Sequence, residues 1–271
     1  MTFGAAGPSL SAAELAELAA SIAPPGSALA LLGSHARGEA GPTSDVDLLL
    51  LVSDGVSPPA ASSRIVAGRL VVLSAASESE TRTWFEQPEL AVVTVAGLRR
   101  ARAVSDPRGT VAALLERAAA FTWTDSLHRR ADRWVGDALA GWAEEAMRGV
   151  EGLRRDDPGR LLLARFGLSW GLSRVMIVHK RLLLETENAM LSALAAAMGE
   201  ASRWVELQRA AFGLDSAGCT PSLRAQVVAG LALYRETDRL VSALLNPEER
   251  RVVDAASQAA AGWTGDGAVE R

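Results

Sequence analysis

Cysteine is almost absent from this 271-residue chain: Cys219 stands alone, so an intrachain disulfide and a cysteine zinc site are both excluded. Histidine occurs three times, widely scattered, which leaves no zinc cluster either. Lysine is rarer still, Lys180 being the only one among 28 basic residues; with abundant alanine this reads as a GC-rich coding bias. Long apolar runs are missing: stretches such as Leu48–Val52 fall far short of the roughly 20 residues a membrane-spanning helix needs. No basic flank followed by an apolar core marks the N-terminus, so no secretory leader is expected and a cytoplasmic setting is. Positive charge is not in excess, since 28 basic against 32 acidic residues give a net −4. A dedicated duplex-binding protein shows the opposite sign because it must neutralise phosphates, which argues against a nucleic-acid partner.

What is present is ordinary globular material. Hydrophobic residues make up 49% and charged residues 22%, which rules out wholesale disorder, and the length suits one large or two small domains. Ser11 caps an expected helix to about Ala20, with Leu15, Leu18 and Ile22 at helical spacing. Ser27–Leu32, Val46–Val52 and Arg69–Ser74 read as short buried strands. Residues 57–68 read as loop or helix, Glu78–Glu86 as helix and Leu90–Val95 as a further strand. From Asp106-Pro107 onward the pattern is almost wholly helical, and helices are predicted over 186–198, 202–212, 221–245 and 247–260. The expected architecture is α+β: a small mixed sheet with helices over residues 1–110, then a helical bundle over 111–271.

Chemistry concentrates in Gly33-Ser34-His35-Ala36-Arg37-Gly38, followed by Ser44-Asp45-Val46-Asp47. Strand side chains alternate, so Asp45 and Asp47 project together from the start of an otherwise apolar strand. Their repulsion raises at least one pKa unless a cation lies between them, and oxygen ligands of this kind favour Mg²⁺. Upstream, glycine at a strand end lets the backbone approach a phosphate, Ser34 offers a hydroxyl and Arg37 a charged fork. No Gly-Lys-Ser/Thr follows, so this is not a Walker loop.

This combination resembles the signature of the DNA polymerase beta-type nucleotidyltransferase superfamily, most closely its minimal and antibiotic-modifying (kanamycin-type) branch. The resemblance implies that Gly33 and Ser34, with Arg37 and Ser44, hold the nucleotide triphosphate and that Asp45 and Asp47 hold Mg²⁺. It implies transfer of a nucleoside monophosphate, AMP from ATP, to a hydroxyl of a small acceptor such as an aminoglycoside-like compound, which would sit between the domains. A protein hydroxyl as target, or a degenerate nucleotide-binding module, are the alternative readings. Relatives often build the site across subunits, so a homodimer is compatible with the resemblance.

The family pattern usually supplies a third carboxylate from a following strand, yet Arg69-Leu70-Val71-Val72-Leu73 contains no acid. Glu78, Glu80 or Glu89 could serve instead. A general base could also come from the helical half, where Glu144, Glu145, Glu185 and Glu187 are candidates and Glu145 is the first choice. The third account is an inactive member.

Overall fold

The computed structural model describes residues 14–15, 17–18, 27–66, 68–214 and 221–264. Contacts between residues divide the chain into two compact units, Met1–Trp123 with Leu183–Glu187, and Thr124–Leu182 with Asn188–Arg271.

The first unit is built on a five-stranded sheet. In chain order its strands are β1 (Ala28–Leu31), β2 (Val46–Val52), β3 (Ser62–Val66), β4 (Arg69–Ser77) and β5 (Arg102–Ser105), and in space they run β3-β4-β2-β1-β5. Only β2 and β4 are parallel, in the register Val46↔Val71 through Val52↔Ser77. Parallel neighbours buried on both faces need apolar residues on both, and β2 obliges with four consecutive leucines, Leu48 to Leu51, all buried. On one face Leu29, Leu31, Val46, Leu48, Leu50, Val71 and Leu73 pack with Leu15 and Leu18. Residues 14, 15, 17 and 18 are helical; the rest of the helix expected to begin at Ser11 lies outside the described residues.

Three helices cover the other face: α2 (Glu78–Glu86), α3 (Pro88–Arg99) and α4 (Thr110–Ala120); the short α1 (Gly33–Arg37) joins β1 to β2. Leu90–Val95 is not a strand but the middle of α3, which Pro88 starts in its first turn. Five apolar residues and Thr94 carry no decisive period, and here Ala91, Val92, Val95, Ala96 and Leu98 all turn inward. The unit runs past residue 110 to Trp123, because Val111, Leu114 and Ala118 of α4 share a core with Ala28, Ala30 and Leu51 of the sheet. The returning segment Leu183–Glu187 was not anticipated. It is tied in by the Leu184 N–H, which donates to the Val92 carbonyl at 2.7 Å.

The second unit is helical: α5 (Asp125–Gly141), α6 (Ala143–Arg155), α7 (Pro158–His179), α8 (Met190–Met198), α9 (Arg203–Phe212), α10 (Leu223–Val241) and α11 (Pro247–Thr264). At 22 residues, α7 is long and apolar enough by composition to cross a membrane, yet 67% of its most apolar stretch is buried, as befits the central helix of a bundle. Helices approach it closely where side chains are small: Trp142 occupies the space beside Gly171, and Glu145 that beside Gly167. Two buried polar contacts link these helices: the Trp204 indole donates to Thr237 Oγ1 at 2.9 Å and the Gln208 amide to Ser173 Oγ at 2.8 Å.

Candidate active site

The two halves of the Gly33–Asp47 motif meet physically. The Leu32 N–H donates to the Asp47 carbonyl at 2.8 Å, which ties the end of β1 to the start of β2. Gly33 follows with φ of +64°, a left-handed conformation that side chains disfavour. A Cβ on Gly33 would overlap Asp47 Oδ2, so the glycine turn and the carboxylate are packed directly against each other. Five residues later α1 ends on Gly38, again left-handed at +75°, which returns the chain toward β2. Ser44 then closes the turn before the strand: its Oγ accepts from the Gly41 N–H at 2.8 Å, and its own N–H donates to the Gly41 carbonyl at 3.2 Å.

Asp45 and Asp47 are both partly exposed at the mouth of β2. Burial, and next to it the Asp45 carboxylate, push the Asp47 carboxyl above its ordinary range, while Arg37 opposes them. Asp45 and Arg37 both act on the Asp47 carboxyl, so the three charges lie within electrostatic reach of one another. The Arg37 side chain is only 9% exposed and its Nε donates to Glu39 at 2.7 Å. Ser34 makes no side-chain hydrogen bond among the described residues, which leaves its hydroxyl able to donate to a ligand.

This arrangement has a consequence for stability. Because Asp47 is protonated more readily in the folded chain than in the unfolded one, the folded state takes up the extra proton first as pH falls. The metal-free protein is thus penalised at pH above the raised value, and the penalty is gone below the unfolded value near 3.8. In EDTA at pH 7, Asp47→Asn is expected to melt at a higher temperature than the wild type, and the gain should vanish by the acid end of that window. Thermal melts of both proteins across pH check this.

Among the described residues no third carboxylate joins the pair. The parallel register sets Val72 of β4 beside Asp47, on the same face of the sheet. Glu78 and Glu80 follow β4 at its far end, beyond the Val52↔Ser77 pair, roughly 20 Å along the strands from Asp47. Both are also occupied there. Glu80 Oε2 accepts from the Ser77 N–H at 2.6 Å in a capping box, and Glu78 pairs with Arg108 at 3.8 Å. Glu89 lies in the first turn of α3. Among the described residues no group of three or more His, Cys, Asp or Glu side chains is arranged to hold a metal.

The remaining acids divide between the units. Glu185 and Glu187 belong to the segment that returns to the first unit, whereas Glu144 and Glu145 lie in the first turn of α6 in the second. Glu144 is largely exposed and pairs with Arg148 at 2.6 Å. Glu145 differs: its side chain is 15% exposed, Oε1 pairs with Arg148 at 2.5 Å, and Oε2 is buried with no partner. Burial pushes its carboxyl up, with Arg148 opposing and Glu144 assisting.

A divalent cation suits the Asp45–Asp47 pair on donor chemistry. The Asp45 carboxylate adds to the burial that raises the Asp47 carboxyl, a repulsion that a bound cation relieves, and Mg²⁺ commonly takes one or two carboxylates and completes its shell with water and substrate phosphates.

Residues 13–102 match the family model described as a nucleotidyltransferase domain. No curated protein sequence matches the chain. Among solved structures, a nucleotidyltransferase-like protein from Exiguobacterium sibiricum is similar, with 13% identity, a TM-score of 0.46, and coverage of 83% of this chain and 75% of its own. The Gly33–Asp47 motif lies inside the matched stretch, so residues 13–102 are similar to a nucleotidyltransferase domain.

Proposed function

We propose that the protein transfers a nucleoside monophosphate, AMP from ATP, to a hydroxyl of a small acceptor in a Mg²⁺-dependent reaction. The observation that carries this reading is the packing of the Gly33 turn against the Asp47 carboxylate, which puts a phosphate-accessible backbone beside the paired acids. Asp45 and Asp47 hold the Mg²⁺, which when bound supplies positive charge where the triphosphate and the attacking oxygen meet. Gly33 and Ser34 receive the phosphates through backbone and hydroxyl, and Ser44 keeps its hydroxyl hydrogen for donation. Arg37 exchanges Glu39 for a phosphate oxygen, trading an exposed partner for a more highly charged one. The acceptor oxygen attacks the α-phosphorus, the bond from that phosphorus to the bridging oxygen breaks, and pyrophosphate leaves. The hydroxyl proton passes to a carboxylate base.

Valine at position 72 favours one second reading, a nucleotide-binding module that has lost transfer. An assay of pyrophosphate release from ATP, run over polyhydroxylated and amino-sugar acceptors and proteins co-purifying with the chain, separates the two. The proposal expects acceptor-dependent release with Mg²⁺ that EDTA abolishes. ATP binding with no release from any nucleotide or acceptor would reject transfer, and adenylylation of a protein alone would move the target to a protein hydroxyl.

A further inference from the structure

The helical unit holds a polar cavity remote in sequence from the Gly33–Asp47 motif. It is an open groove of about 840 Å³ along α10 and α11, with Arg203 of α9 also in its wall. Metabolite sites commonly occupy about 300–1,000 Å³. Small side chains, Ala232 on α10 and Ala261 on α11, leave room between the helices.

The charges lining this groove fall into two classes. Its carboxylates, Glu236 and Asp238, are already spent. Glu236 accepts from both Nε and Nη2 of Arg239, at 3.0 and 2.6 Å. Asp238 accepts from Arg250 Nη1 at 2.8 Å on one oxygen and from Ser257 Oγ at 3.1 Å on the other. Their side chains are only 12% and 15% exposed, so little of either acid is offered to a ligand. The second class is unspent positive charge. Arg203 and Arg235 have no carboxylate partner among the described residues, and Arg235 is held by a single neutral contact, donating to Thr264 Oγ1 at 2.6 Å. In a chain with net charge −4, this groove presents two surplus guanidinium groups, with the Ser242 hydroxyl also in its lining.

A cationic ligand would meet no free acid here, whereas an anion with several oxygens meets planar forks that match it. We infer that the groove binds a phosphorylated, metabolite-sized ligand through Arg203 and Arg235. It is independent of the transfer reaction: its residues all lie in the second unit and include none of Gly33, Asp45 or Asp47. The two arginines are exposed on helix surfaces, so replacing them leaves the bundle core untouched.

Equilibrium dialysis of the full chain against labelled inorganic pyrophosphate, in EDTA at low salt, tests this. EDTA removes the cation that binding at Asp45 and Asp47 would require. The expected result is one saturable site whose affinity falls with added salt and drops at least about tenfold in the Arg203→Gln, Arg235→Gln double variant. Glu236→Gln should tighten binding, because it frees Arg239. Absence of saturable binding by the wild type overturns the proposal, as does equal binding by the folded double variant. Loss of binding in Asp47→Asn with the arginine variants unaffected would also overturn it, by moving the site to the nucleotidyltransferase domain.

Discussion

Asp45→Asn and Asp47→Asn are each expected to lower nucleotide transfer by about 10³-fold or more while the protein remains folded. The size follows from the donor set. Where three carboxylates share the cation, losing one leaves two. Here Val72 takes the place beside Asp47, Glu78 and Glu80 lie at the other end of the sheet, and each substitution removes one of the two anions found there among the described residues. A loss of several kcal/mol of charge stabilisation in the transition state corresponds to about this factor, since each 1.36 kcal/mol is about tenfold. Folding is spared because asparagine is nearly isosteric, the Leu32–Asp47 link is made by backbone atoms, and the repulsion between the acids disappears. Pyrophosphate release alongside circular dichroism checks both halves. Wild-type turnover in both variants would remove Mg²⁺ held by Asp45 and Asp47 from the mechanism.

Gly33→Ala should be the next most damaging change, although it alters no charged or hydrogen-bonding side chain. Alanine at φ of +64° costs about 1–2 kcal/mol in backbone strain alone. Its Cβ must also displace Asp47 Oδ2, so either the turn or the carboxylate moves. A shift of order 1 Å in a positioned catalytic group costs about 10²-fold in rate. The expected outcome is therefore turnover reduced by about two orders of magnitude, together with a melting temperature lower by a few degrees. Steady-state kinetics and a thermal melt measure the two parts. Ser34→Ala, which neither strains the backbone nor meets Asp47, should cost less. A Gly33→Ala protein with full activity would mean that Asp47 need not stay where the turn holds it.

The motif was legible in the sequence because each of its parts obeys a local rule. Val46–Val52 is a strand with the predicted ends, since four leucines bounded by Asp45 and Ser53 leave little choice. Asp45 and Asp47 share a neighbourhood because a period of two requires it. Elements without a local signal were missed. β3, Ser62–Val66, is an edge strand with three exposed residues and no apolar alternation, and β5 has only four residues, beginning with an exposed arginine. The apolar run in α3 carries no period that separates helix from strand. The missing third acid is a question of register: which residue of β4 stands beside Asp47 depends on how β2 and β4 align, and no residue within either strand announces that alignment. Similarly, the return of Leu183–Glu187 to the first unit rests on one backbone hydrogen bond to Val92 and on Leu183 packing into that core. A short apolar segment between helices gives no hint of which core it will join.

Crystals grown with Mn²⁺ and a non-hydrolysable ATP analogue, and measured at the manganese edge, examine the central claim most directly. The account predicts an anomalous peak coordinated by Asp45 and Asp47 and by phosphate oxygens, with the triphosphate lying along the Gly33–Ser34 turn and Arg37 turned from Glu39 toward it. A nucleotide bound elsewhere, or a cation that bypasses both aspartates, would contradict it.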